Sequence, residues 1–136
     1  MILVAGPYRS GTNDIPELIE KNIQAMNDMA WEVYQQGHLP VLGEWFALPL
    51  IETAGSKEMG DEVWNELFHP VAIRLIEKCE EIFRIGGHST GAEKMDQIGK
   101  ERGKRIVYGL EEIWKFALKT ALQSVGGTYP RPHSPT

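Results

Sequence analysis

At 136 residues, with 42% hydrophobic and 24% charged side chains, the chain is sized for one domain with a packed core. A formal charge of -5 and a pI near 5.4 argue against nucleic acid or an anionic membrane as the main partner, but leave room for a small anion held by local donors. The one cysteine, Cys79, excludes an internal disulfide and has no neighbours at zinc-ligand spacing, so it reads as an inert buried thiol and no metal or other cofactor is expected.

The opening Met1–Gly6 carries no basic leader and is too short for a signal h-region. No apolar run reaches the roughly 20 residues that span a bilayer, so the expected setting is the reducing cytoplasm. Ile2 to Ala5 is a continuous apolar run closed by Gly6-Pro7, as in a strand buried on both faces of a parallel sheet. A polar loop follows, Tyr8 to Asn13. Asp14 then reads as a helix N-cap, with Glu17 as its capping-box partner and Pro16 in the first turn. The helix carries Ile15, Leu18, Ile19, Ile23, Met26, Ala30 and Val33 at helical spacing and stops at Gly37.

Leu39 to Leu42 is a short second strand ending at Gly43-Glu44. From Trp45 to Ser56 no single period holds and Pro49 interrupts, which predicts a short helix and then a loop through Gly55-Ser56-Lys57. Met59 to Phe68 reads as helix, and Pro70 predicts a kink or restart at His69 before a second piece that ends at Cys79. Glu81 to Ile85 is a third strand and Gly86 to Gly91 a loop. Ala92 to Arg102 is a helix, Arg105 to Tyr108 a fourth strand, and Leu110 to about Gln123 a closing helix. Ser124 to Thr136, rich in proline and glycine, reads as a flexible tail. Alternating strands and helices imply right-handed βαβ units, hence a three-layer α/β/α sandwich with a flavodoxin- or Rossmann-like parallel sheet of four to five strands.

Such sheets bind ligands beyond the carboxyl ends of their strands. Two loops there carry the chemistry. In the first, Gly6-Pro7-Tyr8-Arg9-Ser10-Gly11-Thr12, glycines expose backbone amides and Arg9 adds a fork of donors suited to phosphate oxygens. It is neither a Walker A loop nor a dinucleotide fingerprint. In the second, Gly86-Gly87-His88-Ser89-Thr90-Gly91, amides and a helix dipole converge. Ser89 and Thr90 offer hydroxyls to a phosphate, or Thr90 caps the helix. His88 is either a general acid/base or a solvated loop histidine. The carboxylates at this face are Glu44, Glu93 and Asp96; a first-turn acid such as Glu93 can equally be only a partner of the helix dipole. Tyr8 could stack on a base or orient a carboxylate, and Trp45 and Phe46 could wall a base pocket or simply pack.

The order Ala5-Gly6-Pro7-Tyr8, then a third strand leading into Ser89-Thr90-Gly91-Ala92, resembles the nucleoside 2-deoxyribosyltransferases over about Ile2 to Ile113. It is closer still to small members of that superfamily and to the deoxynucleoside monophosphate N-glycosidases. The resemblance implies a single flavodoxin-like domain over 1–123, a homodimer or larger homo-oligomer, and scission of an N-glycosidic bond. It also implies that Arg9, Ser10 and Gly11 in the first loop, with Ser89 and Gly91 in the second, hold a 5′-phosphate. The transferases act on unphosphorylated nucleosides, so these matches favour a monophosphate. The family's nucleophilic glutamate would stand at Met95, and its helical aspartate would fall at Ile73, a turn after His69. The expected function is therefore cleavage of a nucleoside or nucleoside 5′-monophosphate. Glu93, Asp96 or Glu44 would serve as nucleophile or electrostatic stabiliser, and His88 or His69 as proton donor. The alternatives are a nucleotide-binding module without catalysis, which Met95 favours, and a structural subunit with an unused cleft.

Overall fold

A computed structural model describes residues 1–113. It is an α/β domain in the order β1 (Ile2–Ala5), α1 (Pro16–Gln35), β2 (Pro40–Val41), α2 (Gly43–Thr53), α3 (Glu62–Lys78), β3 (Glu81–Arg84), α4 (Thr90–Glu101) and β4 (Arg105–Val107). A further helical turn opens at 110; the rest of the predicted closing helix and the tail lie outside the described residues. The four strands form one parallel sheet in the order β2-β1-β3-β4, with Leu3 opposite Val41, Val4 opposite Phe83 and Phe83 opposite Val107.

Side chains alternate across the sheet, so β1 feeds two cores. Ile2 and Val4 join Met26, Ala30 and Val33 of α1 together with Phe83 and Val107. Leu3 and Ala5 join Ala72 and Ile76 of α3, Met95 of α4, and Ile82. This is why β1 is apolar without interruption and both central strands are buried throughout, β3 with Ile82 and Phe83 between Glu81 and Arg84. On the α4 side the approach is close: a Cβ built on Gly99 would stand 2.3 Å from the Ile82 Cδ1, so a larger residue would have to push that side chain aside for this helix to lie on β3. A third cluster, Ala47, Ile51 and Trp64, ties α2 to α3.

Four local expectations are corrected. Asp14 does not cap α1. Ile15 occupies that position without a side-chain bond, while Asp14 has a φ of 56° and turns its carboxylate to Arg9, with bonds of 3.0 and 2.9 Å. Pro49 does not break its segment, and Pro70 does not divide α3; both lie inside continuous helices. Packing of Ala47, Ile51, Trp64, Ala72 and Ile76 outweighs the backbone bond each proline removes. The helix around Pro70 starts later than the sequence suggests, at Glu62. There Asp61 accepts from the Trp64 and Lys57 N–H groups, both at 2.9 Å, and from Ser56 Oγ at 2.8 Å, and these bonds hold its carboxyl at about 2.

Candidate functional site

The chain leaves β1 toward β2 on one side and reaches β3 on the other, so the sheet's switch point lies between the carboxyl ends of β1 and β3. The two glycine-bearing loops meet there. Gly86, at φ 75°, lies so near Pro7 that an added Cβ would stand 2.7 Å from the Pro7 ring. Ser10 Oγ donates to Ser89 Oγ at 3.1 Å. Ser89 in turn is the N-cap of α4, accepting from the Ala92 N–H at 3.3 Å. Thr90, weighed above as a cap, is instead the first residue of the helix.

Beneath this junction lies a cavity of about 410 Å³. From the candidates it collects Gly6, Tyr8, Arg9, Ser10, Glu44, Ser89, Thr90 and Gly91. Pro7, Gly11 and Gly87 shape the loops but are not among the lining residues, and neither are His88, Glu93 and Asp96. His88 and Glu93 pair with each other at 2.6 Å on the surface, where His88 is 79% exposed. Asp96 is turned to Arg84, whose Nε lies 3.3 Å from Oδ2, an ion pair lacking the alignment of a hydrogen bond. Burial raises the Asp96 pKa against the pull of Arg84.

Arg84 is the buried brace of the second loop. It is 6% exposed at the end of β3 and donates to the Ile85 carbonyl and, at 2.7 Å, to the Gly87 carbonyl. Loop carbonyls that no strand partner reaches are thereby satisfied.

The cavity wall is aromatic, through Tyr8 as the sequence suggested but not through Trp45 and Phe46. Trp45 and Phe46 are about half exposed, and the Trp45 indole N–H donates to Asn27 Oδ1 at 2.9 Å. Trp64 and Phe68, one turn apart on α3, line the cavity with Tyr8. The three rings are near parallel: Trp64 and Phe68 lie 5.3 Å apart at 9°, and Tyr8 and Trp64 lie 6.1 Å apart at 7°. The Arg9 guanidinium stands 5.9 Å from the Trp64 ring centre while its fork stays bonded to Asp14.

Glu44 is the distinctive group. It follows β2 directly and opens α2, where the helix dipole favours a carboxylate. Burial wins instead: the side chain is 8% exposed and its pKa is pushed up to about 7, although its own backbone N–H bonds to it. No ion pair forms to it among the described residues. The nearby charge of Glu44, added to burial, raises the Tyr8 hydroxyl. His69 lines the same cavity with Nδ1 buried and unbonded. Burial, then Lys94, lowers its pKa, so its imidazole is neutral near pH 7. Lys94, Asn65, Trp64 and Phe68 are cavity residues that the sequence reading did not select. The i, i+4 aromatic spacing on α3 was the available signal for the last two. Met95 also lines the cavity, so the position where the resemblance puts a glutamate does face this space.

Together the cavity offers a neutral-to-ionised carboxyl, a neutral imidazole, an aromatic wall, two cations and a hydroxyl pair at a helix start. Among the described residues no group of three His, Cys, Asp or Glu side chains could hold a metal ion, and no helix is long and apolar enough to cross a membrane. No family model matches the chain, and no curated protein and no solved structure matches it.

Proposed function

We propose that the cavity binds a nucleoside 5′-monophosphate and hydrolyses its N-glycosidic bond, with Glu44 carrying the proton chemistry. The observation that carries this reading is Glu44 itself, a buried carboxyl titrating at about 7 in the same cavity as the Ser10–Ser89 junction. The phosphate is assigned to Ser10, Ser89, Thr90 and the amides that open α4, with charge from Lys94 and Arg9. The base lies along Tyr8, Trp64 and Phe68.

In the reaction the bond from the base nitrogen to the anomeric carbon breaks as the Glu44 carboxyl gives its proton to the leaving base. Water adds to the anomeric carbon and gives its proton to neutral His69. Transfer of that proton back to Glu44 through solvent resets the site. Met95 supplies no nucleophile, so the sugar cation meets water directly and no glycosyl-enzyme forms. The reading carries with it the three-layer α/β/α arrangement, supported by one core on each side of β1, and a cytoplasmic setting. It also carries a homo-oligomer, supported by exposed Trp45, Phe46 and Leu50 on α2 and checked by sedimentation.

Incubation with a panel of nucleosides and their 5′-monophosphates, followed by chromatography for free base, tests the activity. Release from monophosphates is expected, reduced at least about 100-fold in Glu44→Gln, the scale of general acid catalysis. Release unaffected by Glu44→Gln would contradict the assignment. Met95 favours a second reading, a nucleotide-binding module without hydrolysis; stabilisation by monophosphates with no base released would establish it.

A further inference from the structure

The arginine that lines the cavity is not open to a phosphate as it stands. A guanidinium can take an oxyanion on either of two edges, the side fork of Nε with Nη2 or the end fork of Nη1 with Nη2. In Arg9 the side fork is filled by Asp14: Nε donates to Oδ1 at 3.0 Å and Nη2 to Oδ2 at 2.9 Å. Gly60 stands across the end fork, where an added Cβ would lie 2.9 Å from Nη1 and 3.1 Å from Nη2. The guanidinium also stands over the Trp64 ring, 5.9 Å from its centre. Arg9 therefore reaches the cavity with both forks closed.

The first loop is built to hold this contact. Thr12 is 2% exposed, and its hydroxyl donates to the Arg9 carbonyl at 2.6 Å and accepts from the Asp14 N–H at 3.1 Å. One buried side chain thus fastens the backbone of residue 9 to that of residue 14. Asn13 and Asp14 have φ of 50° and 56°, left-handed conformations that few residues other than glycine, asparagine and aspartate adopt, and this turn brings the carboxylate back onto Arg9. The bond to Arg9 lowers the Asp14 pKa, so the carboxylate is charged wherever a phosphate ester is dianionic. Both side chains are a third to a half exposed, which makes the pair a loose one. A phosphate, with about two charges against one, can displace it.

We infer that Asp14 is a built-in competitor for the side fork of Arg9, so that it sets the affinity of the cavity for a 5′-phosphate by having to be displaced. This inference rests on the nucleotide-site reading above and names a residue, itself outside the cavity lining, that governs phosphate recognition there.

Titration calorimetry with adenosine 5′-monophosphate and with adenosine tests this on the wild type, Asp14→Asn, Arg9→Gln and the double variant. Asparagine tolerates the left-handed turn and lacks the charge, so the loop is expected to keep its path. Asp14→Asn is expected to bind the monophosphate about 5-fold or more tightly, because the fork is open for a larger fraction of the time, with adenosine binding unchanged. In the Arg9→Gln background the same substitution is expected to change monophosphate affinity less than about 2-fold. Unchanged or weaker monophosphate binding in Asp14→Asn overturns the inference, as does a gain shared equally by adenosine. A gain of equal size in the Arg9→Gln background overturns it too, because Asp14 would then act on the phosphate directly and not through Arg9. Each of these leaves the nucleotide site standing. Failure of the monophosphate to bind any of the four proteins overturns both.

Discussion

At pH 8 the Glu44→Gln protein is expected to be more stable than the wild type by about 3 kcal/mol, and at pH 4 the two are expected to be equal. The folded-state pKa of Glu44, about 7, lies above its ordinary value of 4.5. Below 4.5 the carboxyl is neutral in folded and unfolded chains alike, and burial costs little. Between 4.5 and about 7 the unfolded chain ionises while the folded one stays protonated, so stability falls as the pH rises. Above about 7 the full penalty is present and the curve flattens. The difference of about 2.5 units, at about 1.4 kcal/mol per unit, gives the expected size. Glutamine keeps the shape and a hydrogen-bonding edge but never ionises, so its stability lacks this slope. Urea denaturation of both proteins from pH 4 to pH 8.5 measures the difference; parallel curves would show that Glu44 is solvated.

Loss of Arg84 is expected to be as severe. Arg84→Leu removes the partner of partly buried Asp96 and the donor to the Ile85 and Gly87 carbonyls, and should cost about 3–5 kcal/mol. Removing both charges together, Arg84→Leu with Asp96→Leu, should recover part of that loss, because the uncompensated carboxyl is gone. The loop that Arg84 braces leads directly to Ser89, so the surviving folded protein should also bind monophosphate more weakly. Denaturation across the full double-mutant cycle, with calorimetry on the members that fold, checks both parts. A single-variant loss below about 1 kcal/mol would show that the brace is dispensable.

The parts of this molecule written in local pattern were legible in its sequence. Ile2–Ala5 and Glu81–Arg84 lie at the centre of a parallel sheet, and burial on both faces favours the apolar stretches Ile2–Ala5 and Ile82–Phe83, which no helix period explains. The glycine-bearing turns after them stood out because the backbone there must pass close to its neighbours, as Gly86 does to Pro7. Arg9 and Ser10 in the first of these turns and Ser89 in the second reach the cavity, as does Glu44 at the end of the second strand.

What escaped depends on which partner each side chain finds in the folded molecule, near or far along the chain. Pro49 and Pro70 look like breaks until the packing of α2 on α3 is known. Asp14 has the spacing of a cap, yet Arg9 five residues earlier claims its carboxylate. His88 in the second loop and Glu93 in the first turn of α4 lie beside the site but satisfy each other at the surface. The apolar girth of α3 hid which aromatics face the cavity, since Trp64 and Phe68 do not differ from core residues in sequence. The titration of Glu44 is set by burial, which no local pattern encodes.

The claim on which the rest depends is that the Ser10–Ser89 junction holds a phosphate. Calorimetry of the wild-type protein at pH 6 with adenosine 5′-monophosphate and with adenosine tests it most directly. The monophosphate is expected to bind at least about 10-fold more tightly, the advantage shrinking as salt rises and disappearing in Ser89→Ala with Lys94→Gln. Equal binding of the two ligands, or an advantage untouched by those substitutions, would place the phosphate elsewhere and contradict the account.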